Sequence, residues 1–168
     1  MNSALNARIQ EEARRLGFFK IGVTPARPLP RPSRLTRWLE AGMHGEMRYM
    51  ERQADRRTDP SLVLPDARSI MVLAMNYFTA ASRSRESSTG IISRYAWGED
   101  YHRIVEERLR SLRDFICARR PGTAAVYYVD TGPVMEKVWG AESGLGWTGK
   151  HSILVSRDQG SWFFIGVI

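Results

Sequence analysis

The feature that most constrains the fold is a mostly apolar run at residues 69–78, which includes Ile70, Val72 and Leu73. A run of this length, preceded by Pro65 and followed by a serine-rich stretch, is typical of a buried β-strand. It is far shorter than the roughly 20 apolar residues that cross a bilayer. We therefore predict a central strand in a water-soluble domain that does not enter a membrane.

Helical patterns precede and follow this strand. Apolar residues recur every three or four positions at residues 5–16 and again at residues 101–119, which predicts two amphipathic helices. A short helix is predicted at residues 35–39. Pro133 is predicted to open a further helix, because its missing N–H is harmless there, and Gly144 is predicted to end it.

Shorter apolar stretches predict the remaining strands, at residues 18–23, 91–96, 124–129, 153–155 and 162–167. The last two are expected to form a hairpin through residues 158–160. The proline-rich residues 25–32 and the serine-rich residues 79–90 are interpreted as irregular connectors. The alternation of helices with such strands predicts an α/β fold of the α+β type, with a mixed β-sheet layered with helices in one domain over residues 1–168.

Composition narrows the possible functions. The chain has 168 residues and 43% hydrophobic content, enough for one packed core, and its first residues lack a secretory signal, so we expect a cytoplasmic protein. Cys117 is the only cysteine; we assign it no role, and we predict no metal ligated by protein side chains. The net charge of +7 fits a polyanionic partner such as RNA, but also a generally basic surface.

Asp130 is the side chain best placed to move a proton. It follows a predicted strand and precedes Pro133, the usual place of ligand sites in open α/β sheets. Apolar neighbours could desolvate its carboxylate, raise its pKa and suit it to donate a proton, whereas a carboxylate that merely favours the helix dipole fits equally well. For Glu136 and Lys137, the spacing favours a solvated ion pair over an orienting role.

Two further segments carry unusual residue combinations. Residues 94–102 hold two cations, two acids and three aromatic residues, although Asp100 could simply cap a helix and His102 could be a surface imidazole. Residues 144–151 are glycine-rich and end in Lys150 and His151, without the spacing of a Walker phosphate loop. With Asp130, these segments predict one mouth for a large flat cofactor with amide and phosphate appendages.

These motifs resemble a known family. The strings RYAWGEDYH at 94–102, DTGPVMEK at 130–137 and GLGWTGKH at 144–151 are similar to those of the epoxyqueuosine reductases. The likeness extends upstream through residues 38–47 and 57–60, so it covers nearly the whole chain. It implies the cobalamin-binding domain of enzymes that reduce epoxyqueuosine to queuosine at the wobble position of a tRNA anticodon.

The resemblance also implies roles for individual residues. Asp130 occupies the position of the proton donor, which would relieve the charge that develops on the departing epoxide oxygen. Eight residues are implied to lie around the corrin and its side chains: Arg57, Arg94, Tyr95, Asp100, His102, Gly149, Lys150 and His151.

One part of the family pattern is missing. Relatives continue into a ferredoxin-like module with two 4Fe-4S clusters and then into a helical-repeat region that helps to hold tRNA. With Cys117 as its only cysteine and with Ile168 as its last residue, this chain has no thiolates for such clusters. We therefore expect a truncated member that retains cobalamin, acts on tRNA containing epoxyqueuosine and takes electrons from a separate iron–sulfur protein or reductant.

Two other functions fit the sequence. A flavin-dependent reductase would also use a layered sheet with a glycine-rich mouth. A non-catalytic or vestigial RNA-binding module would instead contact phosphates through the arginines of the second long helix and its end, which are Arg103, Arg108, Arg110, Arg113, Arg119 and Arg120.

Overall fold

A computed structural model describes residues 3–30, 33–84 and 86–168. Its α-helices are α1 (Ser3–Arg15), α2 (Arg34–Glu40), α3 (Arg48–Arg52), α4 (Ala54–Thr58), α5 (Tyr101–Arg119) and α6 (Glu136–Glu142). Its strands are β1 (Lys20–Pro25), β2 (Ser69–Asn76), β3 (Trp147–Thr148), β4 (Leu154–Val155) and β5 (Phe163–Val167). Short 3-10 turns lie at Pro60–Leu62 and Arg94–Ala96. Across the described residues, no helix has the length and hydropathy of a membrane span.

Strand β2 is the centre of the main sheet, as its apolar run predicted. It pairs antiparallel with β1 on one side, where Leu73 lies opposite Ile21, and with β5 on the other, where Leu73 lies opposite Gly166. Successive side chains of a strand point to opposite faces, so a strand covered on both faces is apolar throughout. This explains why Val72, Leu73 and Ala74 are all fully buried.

Helices cover both faces of this sheet. On one face α1 and α5 enclose a core that contains Ile9, Val105 and Leu109. On the other, Trp139 of α6 and Leu154 of β4 pack against β2 and β5. The predicted α/β class, with helices layered on a sheet, is confirmed.

Three predictions about strands are wrong. The described strand pairs are all antiparallel, so the sheet is not mixed. Residues 124–129 form no strand; a single bridge joins Tyr128 to Val167, because the chain turns away sharply at Asp130. Residues 91–96 form no strand, since a 3-10 turn at Arg94–Ala96 brings the Trp97 ring back so that its Nε1 donates to the Ile92 carbonyl at 2.8 Å.

The C-terminal strands also differ from prediction. Strands β4 and β5 do not form a hairpin: β4 pairs with β3 and β5 with β2, and only a Ser156–Gly160 bridge closes the turn between them. Helix α6 begins at Glu136 rather than at Pro133, and Gly144 follows its end at φ +75°, as predicted. Residues 26–30 are irregular as predicted, whereas Pro25 is the last residue of β1; residues 31 and 32 of that connector lie outside the described residues.

Candidate active site

The backbone at Asp130 has an unusual conformation. Its φ is +54°, in the left-handed region, and the Thr131 N–H donates across it to the Val129 carbonyl at 2.5 Å. A non-glycine residue in this conformation costs about 1–2 kcal/mol and persists where its surroundings hold it. Val129 is buried, whereas the Asp130 side chain is 54% exposed, so the desolvation that its neighbours predicted is not what the structure shows.

Tyr101, the first residue of α5, contacts this carboxylate directly. Its hydroxyl donates a hydrogen bond to Oδ2 of Asp130. Its ring stacks on Phe164 of β5, with centroids 3.9 Å apart, and on His102 at 4.1 Å. Burial, and then the bond to Asp130, raise the pKa of Tyr101 above its ordinary value. The hydroxyl therefore stays protonated and remains a donor to Asp130.

Asp100 and His102 form the outer part of the same group. The Asp100 carboxylate accepts from the His102 backbone N–H at 2.9 Å, which caps α5, and lies 2.8 Å from Nδ1 of the His102 ring. These contacts with His102 lower the pKa of Asp100. Since Nε2 of the same ring lies 3.8 Å from Oδ2 of Asp130, the cap also orients an imidazole toward Asp130.

Glu136 lies behind the Asp130 turn, in the first turn of α6. Its Oε1 is buried and has no hydrogen-bond partner. Burial, and to a smaller extent the Asp130 charge, raise the pKa of Glu136 to about 7, although Arg57 and nearby backbone N–H groups oppose the shift. Lys137 instead donates to the Ser152 carbonyl at 3.1 Å. The predicted solvated ion pair between Glu136 and Lys137 is therefore wrong.

Arg57 approaches this segment from α4. Its Nη1 donates to the Val134 carbonyl at 3.3 Å, and its Nε is buried without a partner. The structure thus places Arg57 against the backbone between Asp130 and Glu136.

Arg94 lies at the far end of an aromatic array, and Tyr95 lies at the end nearest Asp130. The Arg94 guanidinium donates to the Thr79 carbonyl and lies over the rings of Trp97, Phe78 and Trp162, at 4.8, 4.9 and 5.5 Å. Tyr95 meets Tyr101 edge to face at 6.3 Å. The array continues from Trp162 through Tyr77 and Phe164 to Tyr101, so it joins Arg94 to Asp130 through ring contacts.

The glycine-rich loop forms a separate part of the site. Gly149 donates to the Ile153 carbonyl at 2.9 Å inside the β3–β4 ladder, and Lys150 and His151 are exposed. Among the described residues, no hydrogen bond or ring contact joins Gly149, Lys150 or His151 to Asp130. The loop is connected to the site through α6, by the bond from Lys137 to Ser152.

A cavity of about 840 Å³ borders the Asp130 turn. Tyr128, Pro133 and Val134, which flank Asp130 in the sequence, form part of its wall, together with Arg57 and Trp139. This volume is in the range of small-molecule and cofactor sites. Asp130, Tyr101 and the rings around Arg94 do not line this cavity, so it borders the turn from the side of Tyr128 and Pro133 and does not enclose the exposed acid.

Sequence reasoning missed three contributors to this arrangement. Tyr101 was named only as one aromatic of its segment, yet its position between Asp100 and His102 was a signal. Phe164 contacts Tyr101 across 63 positions of sequence, which no local pattern reveals. Glu136 lies within the electrostatic influence of Arg57 on α4, which is also remote in the sequence.

Comparisons with known sequences identify relatives. The family model described as "Epoxyqueuosine reductase QueG, DUF1730" matches residues 57–131. An epoxyqueuosine reductase from Cellulophaga algicola is 42% identical over 158 residues, which are 94% of this chain and 51% of the relative. One from Gloeobacter violaceus is 45% identical over 164 residues, 96% of this chain and 50% of the relative. The chain thus spans about half the length of these curated relatives.

Solved structures of epoxyqueuosine reductases are also similar to this chain. A selenomethionine-labelled epoxyqueuosine reductase matches with a TM-score of 0.82 and 28% identity, over 98% of this chain and 44% of that one. One with an epoxyqueuosine-modified tRNA-Tyr stem loop gives 0.81 and 28%, with the same coverage. A Bacillus subtilis enzyme, whose catalytic aspartate loop is swung out of the active site, gives 0.81 and 27%, over 98% and 44%.

Proposed function

Because the chain is homologous to the epoxyqueuosine reductases over nearly its whole length, we propose that it is the cobalamin-binding, proton-donating part of such an oxidoreductase. The observation that carries the proposal is the exposed Asp130 carboxylate, which is held in a left-handed turn and hydrogen-bonded to Tyr101. A solved relative has its catalytic aspartate on a loop, and Asp130 also lies on one.

The proposed reaction removes the epoxide oxygen of epoxyqueuosine. Two electrons and two protons convert the epoxide to the carbon–carbon double bond of queuosine, and the oxygen leaves as water. Asp130 would donate a proton as the carbon–oxygen bond breaks, which neutralises the charge on the departing oxygen. Tyr101 would orient the carboxyl group. His102 is held by Asp100, and its Nε2 lies 3.8 Å from Oδ2 of Asp130, so it would return a proton to Asp130 through one intervening water.

One observation supports a bound cofactor with polar side groups. Arg57 lines the cavity beside the Asp130 turn, and its buried Nε has no hydrogen-bond partner within the described protein, so it would be available to such a group. Arg57, Arg94, Tyr95, Asp100, His102, Gly149, Lys150 and His151 would surround the cofactor. When bound, cobalamin would supply the reducing electrons through its cobalt. We propose that these electrons come from a separate iron–sulfur protein or a small reductant.

The proposed macromolecular partner is a tRNA that carries epoxyqueuosine. A structural relative was solved with such a stem loop, and the chain has a net charge of +7. The tRNA would be met in the cytoplasm.

A function limited to RNA binding has less support. Arg103 is paired with Glu99 at 2.7 Å, Arg113 is paired with Asp114 at 2.6 Å, and Arg108 donates to the Leu16 carbonyl in the protein interior. These arginines therefore do not form one free cationic face.

Anaerobic titration with cob(II)alamin, followed by visible and electron-spin spectroscopy, tests the proposal. We expect saturable binding by the wild type and by Asp130→Asn. With a chemical reductant and epoxyqueuosine tRNA, Asp130→Asn should lose roughly 100-fold or more of the turnover, as expected for loss of a general acid. The matched control is Asp114→Asn, an exposed change on α5.

Two results would contradict the proposal. A folded wild-type chain that does not bind cob(II)alamin would remove the cofactor assignment, and a yellow, flavin-containing protein would favour the flavin reductase. Full turnover by Asp130→Asn would remove the proton-donor role.

A further inference from the structure

A second cavity, of about 610 Å³, lies in the loop between β2 and α5. Most of the residues that line it carry a hydroxyl or a guanidinium group: Ser82, Arg83, Ser84, Ser87, Thr89 and Arg94. Both groups donate hydrogen bonds, and the planar guanidinium matches the geometry of a phosphate. The lining therefore suits a phosphate or a sugar, in contrast to the more apolar cavity beside the Asp130 turn.

The loop is held together by its own hydrogen bonds, but the cation of Arg83 stays unpaired. The Glu86 backbone N–H donates to Oγ of Ser84 at 3.2 Å, and Oγ1 of Thr89 donates to the Glu86 carbonyl at 2.8 Å. Within the described part of the chain, the Arg83 guanidinium makes no hydrogen bond or ion pair. Glu86 is the only acid among the lining residues, so Arg83 and Arg94 leave the cavity with a positive balance. An anionic group therefore fits this cavity.

An exposed aromatic surface adjoins the cavity. Arg94 belongs to both, since it lines the cavity and its guanidinium lies 5.5 Å from the centre of the Trp162 ring. Trp162 is 42% exposed, and Phe78, whose ring meets it edge to face at 5.6 Å, is 50% exposed. An exposed ring beside a cation is suited to stack on a flat, unpaired nucleobase, whatever the identity of the base.

This surface also lies close to the proposed proton donor. Ring contacts lead from Trp162 through Tyr77 and Phe164 to Tyr101, with successive centroids 5.9, 4.7 and 3.9 Å apart. The Tyr101 hydroxyl in turn donates to Asp130. Because successive nucleotides of one strand are spaced by about 3.4 Å or more, a few nucleotides span this path. A base on Trp162 and a modified base at Asp130 can therefore belong to one RNA loop.

We propose that the loop cavity and Trp162 bind one unpaired nucleotide of the RNA substrate, a few positions from the epoxyqueuosine. Its phosphate and ribose would occupy the cavity beside Arg83, and its base would stack on Trp162. RNA loops are recognised in this way because their unpaired bases can be splayed out onto aromatic side chains. The inference deepens the proposed function and rests on it for the identity of the RNA. Arg94 is also assigned to the cofactor, so it is kept in every test variant.

The first test measures binding of a fluorescently labelled, unmodified tRNA anticodon stem loop to the chain without cofactor, by anisotropy at several salt concentrations. Arg83→Gln should weaken binding about three- to tenfold and reduce the slope of log affinity against log salt by about 1, because one phosphate contact is lost. The matched control is Arg8→Gln, which removes the same charge from an exposed residue of α1. It should leave the affinity and the slope nearly unchanged.

The second test removes the stacking surface. Trp162→Ala should weaken binding of the stem loop roughly tenfold, whereas Trp162→Phe should keep most of the affinity because a ring remains. A blunt RNA duplex offers no unpaired base, so wild type and Trp162→Ala should bind it equally. Circular dichroism checks the fold of each variant, because Trp162 also packs on Tyr77 and Phe78. If Trp162→Ala does not fold, Arg83→Gln and the wild-type preference for the loop over the duplex decide.

Wild-type affinity in Arg83→Gln or in a folded Trp162→Ala would overturn the inference. Displacement of the RNA by cob(II)alamin but not by cob(II)inamide, which lacks the nucleotide tail, would also overturn it, because the cavity would then belong to the cofactor. The proposed function is judged separately, by cob(II)alamin binding without RNA. A chain that binds cob(II)alamin but is insensitive to both variants keeps the proposed function and loses the nucleotide site. The reverse result removes the cofactor assignment and keeps the site.

Discussion

The face of the sheet under α1 and α5 and the segment from Asp130 to Glu136 are built in opposite ways. Under the helices, Ile9, Val105 and Leu109 are apolar, buried and in regular conformations. In the segment, a non-glycine residue has positive φ and a buried carboxylate oxygen has no partner. Strain and unpaired buried groups cost stability, so this segment contributes less to the stability of the fold than the apolar core does, as the proposed chemical role of Asp130 would allow.

The largest predicted effect tests the stabilising region. Leu109→Ala leaves a cavity in a fully buried position next to Gly166, which has no Cβ and lets α5 approach β5 closely. We expect a loss of about 2–5 kcal/mol in the free energy of unfolding, measured by urea denaturation. Ile91→Ala, at a residue that is 72% exposed, is the control and should change stability little. Equal losses of unfolding free energy in Leu109→Ala and Ile91→Ala would contradict the stabilising role of the core.

The second prediction concerns Glu136. Its replacement should raise the free energy of unfolding, by less than the loss expected for Leu109→Ala. The pKa of Glu136 rises from 4.5 to about 7 on folding, so the unfolded chain ionises first as pH increases. The stability contributed by neutral Glu136 is full below pH 4.5, is lost between pH 4.5 and 7, and stays lost above. Glu136→Gln should therefore stabilise the protein by roughly 2–3 kcal/mol at pH 8.5 and by less than about 1 kcal/mol at pH 5.

Urea unfolding at the two pH values measures this difference, with Glu142→Gln as the matched control. A destabilised Glu136→Gln at high pH would mean that the buried carboxylate stabilises the fold. The segment would then no longer contrast with the core.

The smallest predicted effect tests how tightly the turn is packed. A Cβ at Gly132 would lie 2.3 Å from the Tyr128 ring, too close for any real contact, whereas a Cβ at Gly98 meets open space. Gly132→Ala should lower the unfolding free energy by about 1–2 kcal/mol through overpacking. Gly98→Ala should be nearly neutral. Thermal unfolding compares the two, and equal midpoints would show that the turn can adjust freely.

The regular elements could be predicted where the signal is local. Helices α1 and α5 follow from apolar residues at helical spacing, because that spacing marks one buried face. Strand β2 follows from its continuous apolar run, because such a run marks a strand buried on both faces. Residues 91–96 and 124–129 were wrongly predicted as strands. Their composition suits a strand, but a strand needs a partner, and the second segment forms only the bridge from Tyr128 to Val167.

Much of the candidate site could also be predicted, because its residues belong to short local motifs. Asp130, Asp100 and His102 were selected from short motifs, and the structure brings these three together. Glu136 was misread because a charged residue in a first helical turn is usually solvated. Its electrostatic environment includes Arg57, which is 79 positions away in the chain.

By itself, the sequence determined the central strand, the two long amphipathic helices, the absence of thiolates for iron–sulfur clusters in this chain and the segments that carry the candidate chemistry. The tertiary structure alone decided that the paired strands are antiparallel, that Tyr101 stacks on Phe164, and that one carboxylate oxygen of Glu136 is buried without a partner. The physical reason is the separation along the chain of the residues that determine each property. Periodicity and capping are properties of neighbouring residues, whereas burial and electrostatic environment are set by groups that only folding brings together.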